Sequence, residues 1–195
     1  MLNMAKKLKN VPLLDVSESY RRILAYFFSF PEHPIGLNDL SEQIGSSKTS
    51  AKLAVNRLIK QGFLKKEVVG NAWRLSADQK DPFMATRKIP YNLESIYESE
   101  IIARVYDKIP NARAIILFGS YRWGTDNEKS DIDVAVEVLD NKTMRIEILG
   151  LIEQLGFRRN VKVNAHIFSR NKIDLNLFTN IANGIILDGL LEVRP

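Results

Sequence analysis

The chain contains no cysteine, which excludes disulfides, thiolate metal sites and cysteine nucleophiles in one step. Histidine is nearly as scarce: His33 and His166 are the two present in 195 residues, too few for an imidazole-based metal centre. No apolar run approaches the roughly 18 residues needed to cross a bilayer. The opening stretch MLNMAKKLKNVP also lacks the apolar segment and small-residue cleavage site of a secretory leader. A soluble, cytoplasmic protein with no membrane partner is expected, and its chemistry must rest on carboxylates, hydroxyls and backbone groups.

What is present is unevenly spread charge. The formal net charge is +5, yet residues 1–80 hold 13 Lys and Arg against 7 Asp and Glu, while residues 81–195 hold 15 against 16. One half is therefore suited to a polyanion and the other is not. With 45% hydrophobic residues over this length, two modest cores are the expected organisation.

In the first eighty residues, SESYRRILAYFFSF (17–30) repeats apolar residues at helical spacing until Pro31 and Pro34. LNDLSEQIG sets Leu37, Leu40 and Ile44 on one face and stops at Gly45. A third helix follows Ser46 and Ser47, either of which can cap it, and buries Ala51, Ala54, Val55, Leu58 and Ile59. Two β-prone runs in FLKKEVVGNAWRL then meet at Gly70-Asn71, where both residues tolerate the positive φ of a tight hairpin. Residues 76–92, with two prolines and no sustained period, read as a linker. After it, LESIYESEIIARVYDKI predicts one helix, ended by Pro110.

The order of helices and hairpin, with LNDLSEQIGSSKTSAKLAVNRLIKQGFLKK, resembles the winged helix-turn-helix family. The resemblance implies that the third helix enters the major groove of double-stranded DNA while the hairpin touches its backbone. Lys48, Lys52, Asn56, Lys60, Lys65, Lys66 and Arg74 are then the DNA-binding positions, the lysines on phosphates and Asn56 on a base edge. Winged helices also dock proteins, and a homodimer is the analogy their two-fold relatives suggest.

The second half starts with ARAIILF, a continuous apolar run expected of a strand covered on both faces. It feeds into Gly119-Ser120, where a glycine lets a phosphate approach the backbone and a serine offers its hydroxyl. In SDIDVAVEV, strand alternation puts Asp131, Asp133, Ala135 and Glu137 on one face and Ile132, Val134, Val136 and Val138 on the other. The two aspartates project from one side about 6–7 Å apart by strand rise. They repel unless a cation lies between them, and oxygen ligands of this kind suit Mg²⁺ completed by a substrate's phosphates.

GSYRWGTDNEKSDIDV, a Gly-Ser followed by ten residues and Asp-Ile-Asp, resembles the signature of the minimal nucleotidyltransferases of the DNA polymerase β superfamily. The likeness runs from about Ala112 to Asp188. It includes an expected helix at NKTMRIEILGLIEQLG, a strand at NVKVNAHIF, and a final helix and strand in LFTNIANGIILDG. The resemblance implies an NTP substrate, ATP foremost, with Gly119 and Ser120 on the triphosphate and Arg122 and Lys129 clamping phosphates. Asp131 and Asp133 would bind catalytic Mg²⁺ or Mn²⁺, and a hydroxyl acceptor would attack in line. Some relatives act as antitoxins that nucleotidylate a partner toxin, so a toxin-like partner protein is implied too.

One position departs from that pattern. Family members carry a third carboxylate on the next strand; here Asn164 occupies the apolar-flanked slot in VKVNAHIF, and an amide cannot act as a base. His166 one pleat along, or Glu137, is the alternative. The fold class expected is α+β in two domains. Residues 1–80 form a winged helix of three helices plus a hairpin wing, 81–91 a linker, and 92–195 a polymerase-β-like nucleotidyltransferase with a mixed sheet and flanking helices. Two functions are left open: an Mg²⁺-dependent transferase of NMP from an NTP, or a catalytically impaired transcriptional regulator that uses the same fold to sense nucleotide or dimerise.

Overall fold

A computed structural model describes residues 16–192. The stretch 1–12, read above for a leader, lies outside the described residues. Among those described, no helix is long and apolar enough to cross a membrane.

The first body is built from α1 (Glu18–Ser29), β1 (Ile35–Gly36), α2 (Leu37–Gln43), α3 (Lys48–Lys60), β2 (Leu64–Val69) and β3 (Ala72–Ala77). Ser17 caps α1 by accepting from the Tyr20 amide, and Ser47 caps α3 by accepting from the Ser50 amide, each satisfying a donor the helix itself leaves open. Gly45, at φ +61, turns the chain between α2 and α3. The strands pair antiparallel in the order β1-β3-β2. Val69 faces Ala72 across the two-residue turn, and of Gly70 and Asn71 only the glycine takes positive φ. Ile23, Phe27, Leu40, Ala51, Val55, Leu58, Phe63 and Leu75 close the core, each fully buried.

The segment expected as a linker is structured. Helix α4 (Pro82–Glu98) runs through it, capped by Asp81 and starting on a proline, whose missing N–H is harmless at a first helical position. Pro90 inside the helix removes one backbone hydrogen bond, yet packing holds the helix together around it. Met84, Phe83 and Tyr91 join the first core, whereas Ile96 joins the second and Leu93 packs on it. The single helix expected over 93–109 is in fact broken: Glu100, at φ 58, separates α4 from α5 (Ile101–Lys108).

The second body is a five-stranded mixed sheet in the order β6-β7-β5-β4-β8. Its strands are β4 (Ala114–Phe118), β5 (Ile132–Glu137), β6 (Arg145–Leu155), β7 (Arg158–Phe168) and β8 (Ile185–Gly189), with short α6 (Gly119–Trp123) after β4 and α7 (Leu175–Ala182) before β8. Among the described residues the only parallel pair is β5 with β7, because the chain first runs out to edge strand β6 and turns back. On one sheet face Ile115, Leu117, Val134, Val136, Val163, Ala165 and Ile167 pack with Val105 of α5 and Ile96 of α4. Each buried Val, Ile or Leu among them contributes roughly 1.5–3 kcal/mol, so this layer rather than any ion pair holds the sheet. On the other face α7 covers Ile116, Ala135 and Phe168 through Ile181, leaving the Asp131 end open.

The helix expected over 141–156 is instead strand β6. Ile146, Leu149 and Ile152 fit helical spacing. However, Gly150 disfavours a helix, and a bulge between Ile148 and Gly150 shifts the alternation. Leu149 and Ile152 then reach the core while Ile146, Ile148 and Leu151 stay exposed.

Candidate functional site

Strand register gathers the site. Phe118 pairs with Asp133 across β4 and β5, and Asp133 pairs with Asn164 across β5 and β7, so the Gly-Ser turn, the second aspartate and the asparagine stand side by side. Gly119 adopts φ +69, and a Cβ there would lie 3.5 Å from Asp133 Oδ2; the left-handed backbone and the close approach both favour glycine. Ser120 is half-buried beside it. The next turn is closed by Gly124, whose amide and that of Thr125 donate to the Ser120 carbonyl.

Both carboxylates are half-exposed and both are engaged by β7. The Asn164 amide donates to Asp131 Oδ2 at 3.3 Å and to Asp133 Oδ1 at 3.1 Å. Lys162 Nζ stands 2.7 Å from Asp131 Oδ2, and His166 Nε2 stands 3.0 Å from Asp133 Oδ1. Partial burial works against ionisation of Asp133. Hydrogen bonds from His166 and Asn164, with the charges of His166 and Lys162, outweigh it and hold the carboxyl below its ordinary range. The His166 ring packs edge-on against Phe118 at 4.9 Å, and its Nδ1 is buried without a partner. Neither ring nitrogen faces open space as a base for an incoming hydroxyl would have to.

The other expected positions separate. Glu137, at the far end of β5, is fully buried and paired with Arg170 at 2.7 Å, which removes it from any metal site with Asp131. Arg122 donates to the Asn183 carbonyl and stacks on Trp123. Lys129 is exposed in the loop before Asp131. Among the described residues no three His, Cys, Asp or Glu side chains form a cage for a metal ion. Two carboxylates with an amide that can rotate to offer oxygen do fit Mg²⁺ or Mn²⁺, a hard cation that takes one or two carboxylates and leaves its other positions to water and phosphate.

Sequence reasoning missed a second polar cluster, behind the loop that joins Ser120 to Asp131. Lys88 of α4 is 1% exposed; its ammonium bonds the Asp126 carbonyl oxygen and lies 3.1 Å from Asp126 Oδ2. Asn92 donates to Asp126 Oδ1 at 2.7 Å and to the Tyr121 carbonyl at 3.1 Å. Arg158 bonds the Tyr121 hydroxyl and the Ser130 carbonyl. Burial pushes the Lys88 pKa down against the pull of Asp126, and pushes Tyr121 up. These partners lie 28 to 38 residues apart along the chain, so no local pattern announces them.

On the first body, Lys48, Lys52 and Lys60 are exposed along α3 and Asn56 is half-buried. Lys52 and Lys66 both stand over the Trp73 ring, at 5.2 and 4.3 Å. Lys65 and Arg74 lie on the opposite face of the hairpin, as alternation requires, paired with Asp78 at 2.8 Å and Glu67 at 3.8 Å. The seven positions therefore do not form one surface. Trp73, an aromatic among lysines, was the legible signal left unused.

Comparison with known proteins adds to this geometry. The family described as "Polymerase beta, Nucleotidyltransferase" matches residues 100–188. The protein adenylyltransferase MntA of Shewanella oneidensis strain MR-1 is 44% identical over 52 residues, 25% of this chain and 37% of that protein. The matched stretch thus spans just over a third of the curated relative. Together these likenesses support nucleotidyltransferase activity.

Proposed function

We propose that this protein transfers an NMP group from an NTP, ATP foremost, to a hydroxyl of a polypeptide partner, while a winged-helix body, residues 1–80, binds double-stranded DNA. The observation that carries the transferase reading is the convergence of Gly119 on Asp133, which brings a glycine backbone suited to a polyphosphate against the acid pair. A polypeptide acceptor is favoured by the similarity to a protein adenylyltransferase.

In this reading Gly119 and Ser120 hold the triphosphate through backbone amides and the serine hydroxyl. Asp131 and Asp133 would hold Mg²⁺ or Mn²⁺, which polarises the α-phosphate and stabilises charge on the departing pyrophosphate. The acceptor oxygen bonds to the α-phosphorus as the bond to pyrophosphate breaks, and its proton passes to solvent because, among the described residues, no free side-chain base stands beside the pair. His166 orients Asp133 and Asn164 spans both acids. Arg122, held by Asn183 and Trp123, supports the loop rather than the phosphates.

The test is incubation with Mg²⁺ and each α-³²P-labelled NTP in the presence of hydroxyl-bearing polypeptides. Label transfer with pyrophosphate release, lost in Asp131→Asn and Asp133→Asn, is the expected result; no release with any NTP would end the transferase reading.

Asn164 beside Asp133 favours a second reading, a regulator with an impaired transferase body. DNA binding is common to both readings and is checked by anisotropy across salt. Lys52→Ala and Lys66→Ala are expected to lower the slope of log K against log salt by about 1 each, and Lys65→Ala and Arg74→Ala by less.

A further inference from the structure

Strand β7 presents three hydrogen-bond donors to the acid pair at alternate positions, Lys162, Asn164 and His166. They are not equivalent. Asn164 is neutral and its amide can turn over to present oxygen, and the His166 ring is held in place by its edge-on packing against Phe118. Lys162 carries a charge and offers no lone pair, so it cannot become a ligand and repels a metal ion that approaches Asp131. At 2.7 Å from Asp131 Oδ2, the ammonium already neutralises the carboxylate and opposes a second positive charge beside it.

Its surroundings allow it to leave. The Lys162 side chain is 40% exposed and that of Asp131 35%, and a lysine head on a four-carbon stem is a mobile point charge rather than a fixed fork. The departing ammonium needs another anion, and a polyphosphate seated at Gly119-Ser120, across Asp133 from β7, would supply one.

We propose that Lys162 is a resident counter-ion. It neutralises Asp131 before substrate arrives, moves to the phosphates of the incoming nucleotide, and so makes divalent-cation binding conditional on nucleotide. This rests on the transferase reading. Cation and Lys162 compete for one carboxylate, so they oppose each other; nucleotide draws Lys162 away, so nucleotide and cation favour each other. Linkage requires both effects to be reciprocal, and couplings of this kind are typically worth roughly 5- to 150-fold in affinity.

The experiment measures Mn²⁺ binding to the whole chain by electron paramagnetic resonance, with and without α,β-methylene-ATP, and binding of that analogue by titration calorimetry. The native protein is expected to bind Mn²⁺ weakly alone and about tenfold or more tightly with the analogue. Lys162→Met should bind Mn²⁺ alone about tenfold tighter than native, lose most of the nucleotide dependence and bind the analogue more weakly. Lys162→Arg, which keeps the charge, should resemble the native protein, and Asp131→Asn should lose Mn²⁺ in every background. Equal Mn²⁺ affinity of native and Lys162→Met without nucleotide overturns the proposal while label transfer by the native protein leaves the transferase reading standing. Failure of the native protein and of Lys162→Met alike to bind either Mn²⁺ or the analogue overturns both.

Discussion

Two polar clusters flank the loop between Ser120 and Asp131, and they are built on opposite terms. Behind the loop, Lys88, Asn92, Asp126, Tyr121 and Arg158 are sealed from water and bond one another across three separate elements and the loop itself. In front, Asp131 and Asp133 are half open and all their partners come from one strand. The same kinds of group thus serve different ends. Buried polar groups that bond backbone carbonyls fix the loop, whereas exposed charge held by removable donors remains available to a ligand.

The largest expected effect breaks the sealed cluster. Lys88→Met leaves Asp126 buried without its cation and should destabilise the protein by about 3–5 kcal/mol in urea unfolding, while Lys88→Met combined with Asp126→Leu should recover much of that loss. If Lys88→Met is no worse than an ordinary surface change, the contrast between the clusters fails. Asp131→Asn should show the reverse pattern. Transfer of labelled nucleotide falls at least about a hundredfold, since even outer partners of a metal are worth roughly 10–100-fold, yet unfolding free energy moves by no more than about 1 kcal/mol.

Asn164→Asp sharpens the comparison from the other side. It places a carboxylate where the amide now donates to both acids, so the rate of transfer should rise about tenfold, and the metal-free protein should lose about 1 kcal/mol. An unchanged rate would show that this position is not the missing third acid. The smallest effect concerns acid. Asp133 is held below its ordinary value of 3.8, so its contribution to stability is complete above that pH and disappears as pH falls through the lowered value. Melting temperatures of native protein and Asp133→Asn should therefore converge below about pH 4, and a gap that persisted would sink the assignment.

The front cluster was legible because a strand repeats every two residues. Once SDIDVAVEV and VKVNAHIF are taken as strands, the faces of Asp131, Asp133, Lys162, Asn164 and His166 follow. The sealed cluster was not legible. Lys88 and Asn92 sit in a proline-bearing stretch that carries no clean period, and their partners are supplied by folding, not by neighbours in the chain. Strand β6 was misread for a related reason: its apolar residues fit both periods, and the bulge at Gly150 is what tertiary pairing chose. Lys65 and Arg74 could have been separated from Lys66 by alternation alone, had the hairpin been treated as two-faced.

Helix α4 also decides how the molecule can be dissected. Its first half is anchored by Phe83 on Phe63 and by Met84 in the same core, Tyr91 reaches Phe28, and Lys88 reaches Asp126. A cut at residue 91 would leave a fragment that carries both aspartates but has lost the lysine behind their loop. A cut ahead of Asp81 would strip the amino-terminal piece of part of its own interior. Neither piece inherits a finished boundary, so the two halves should melt together as one body.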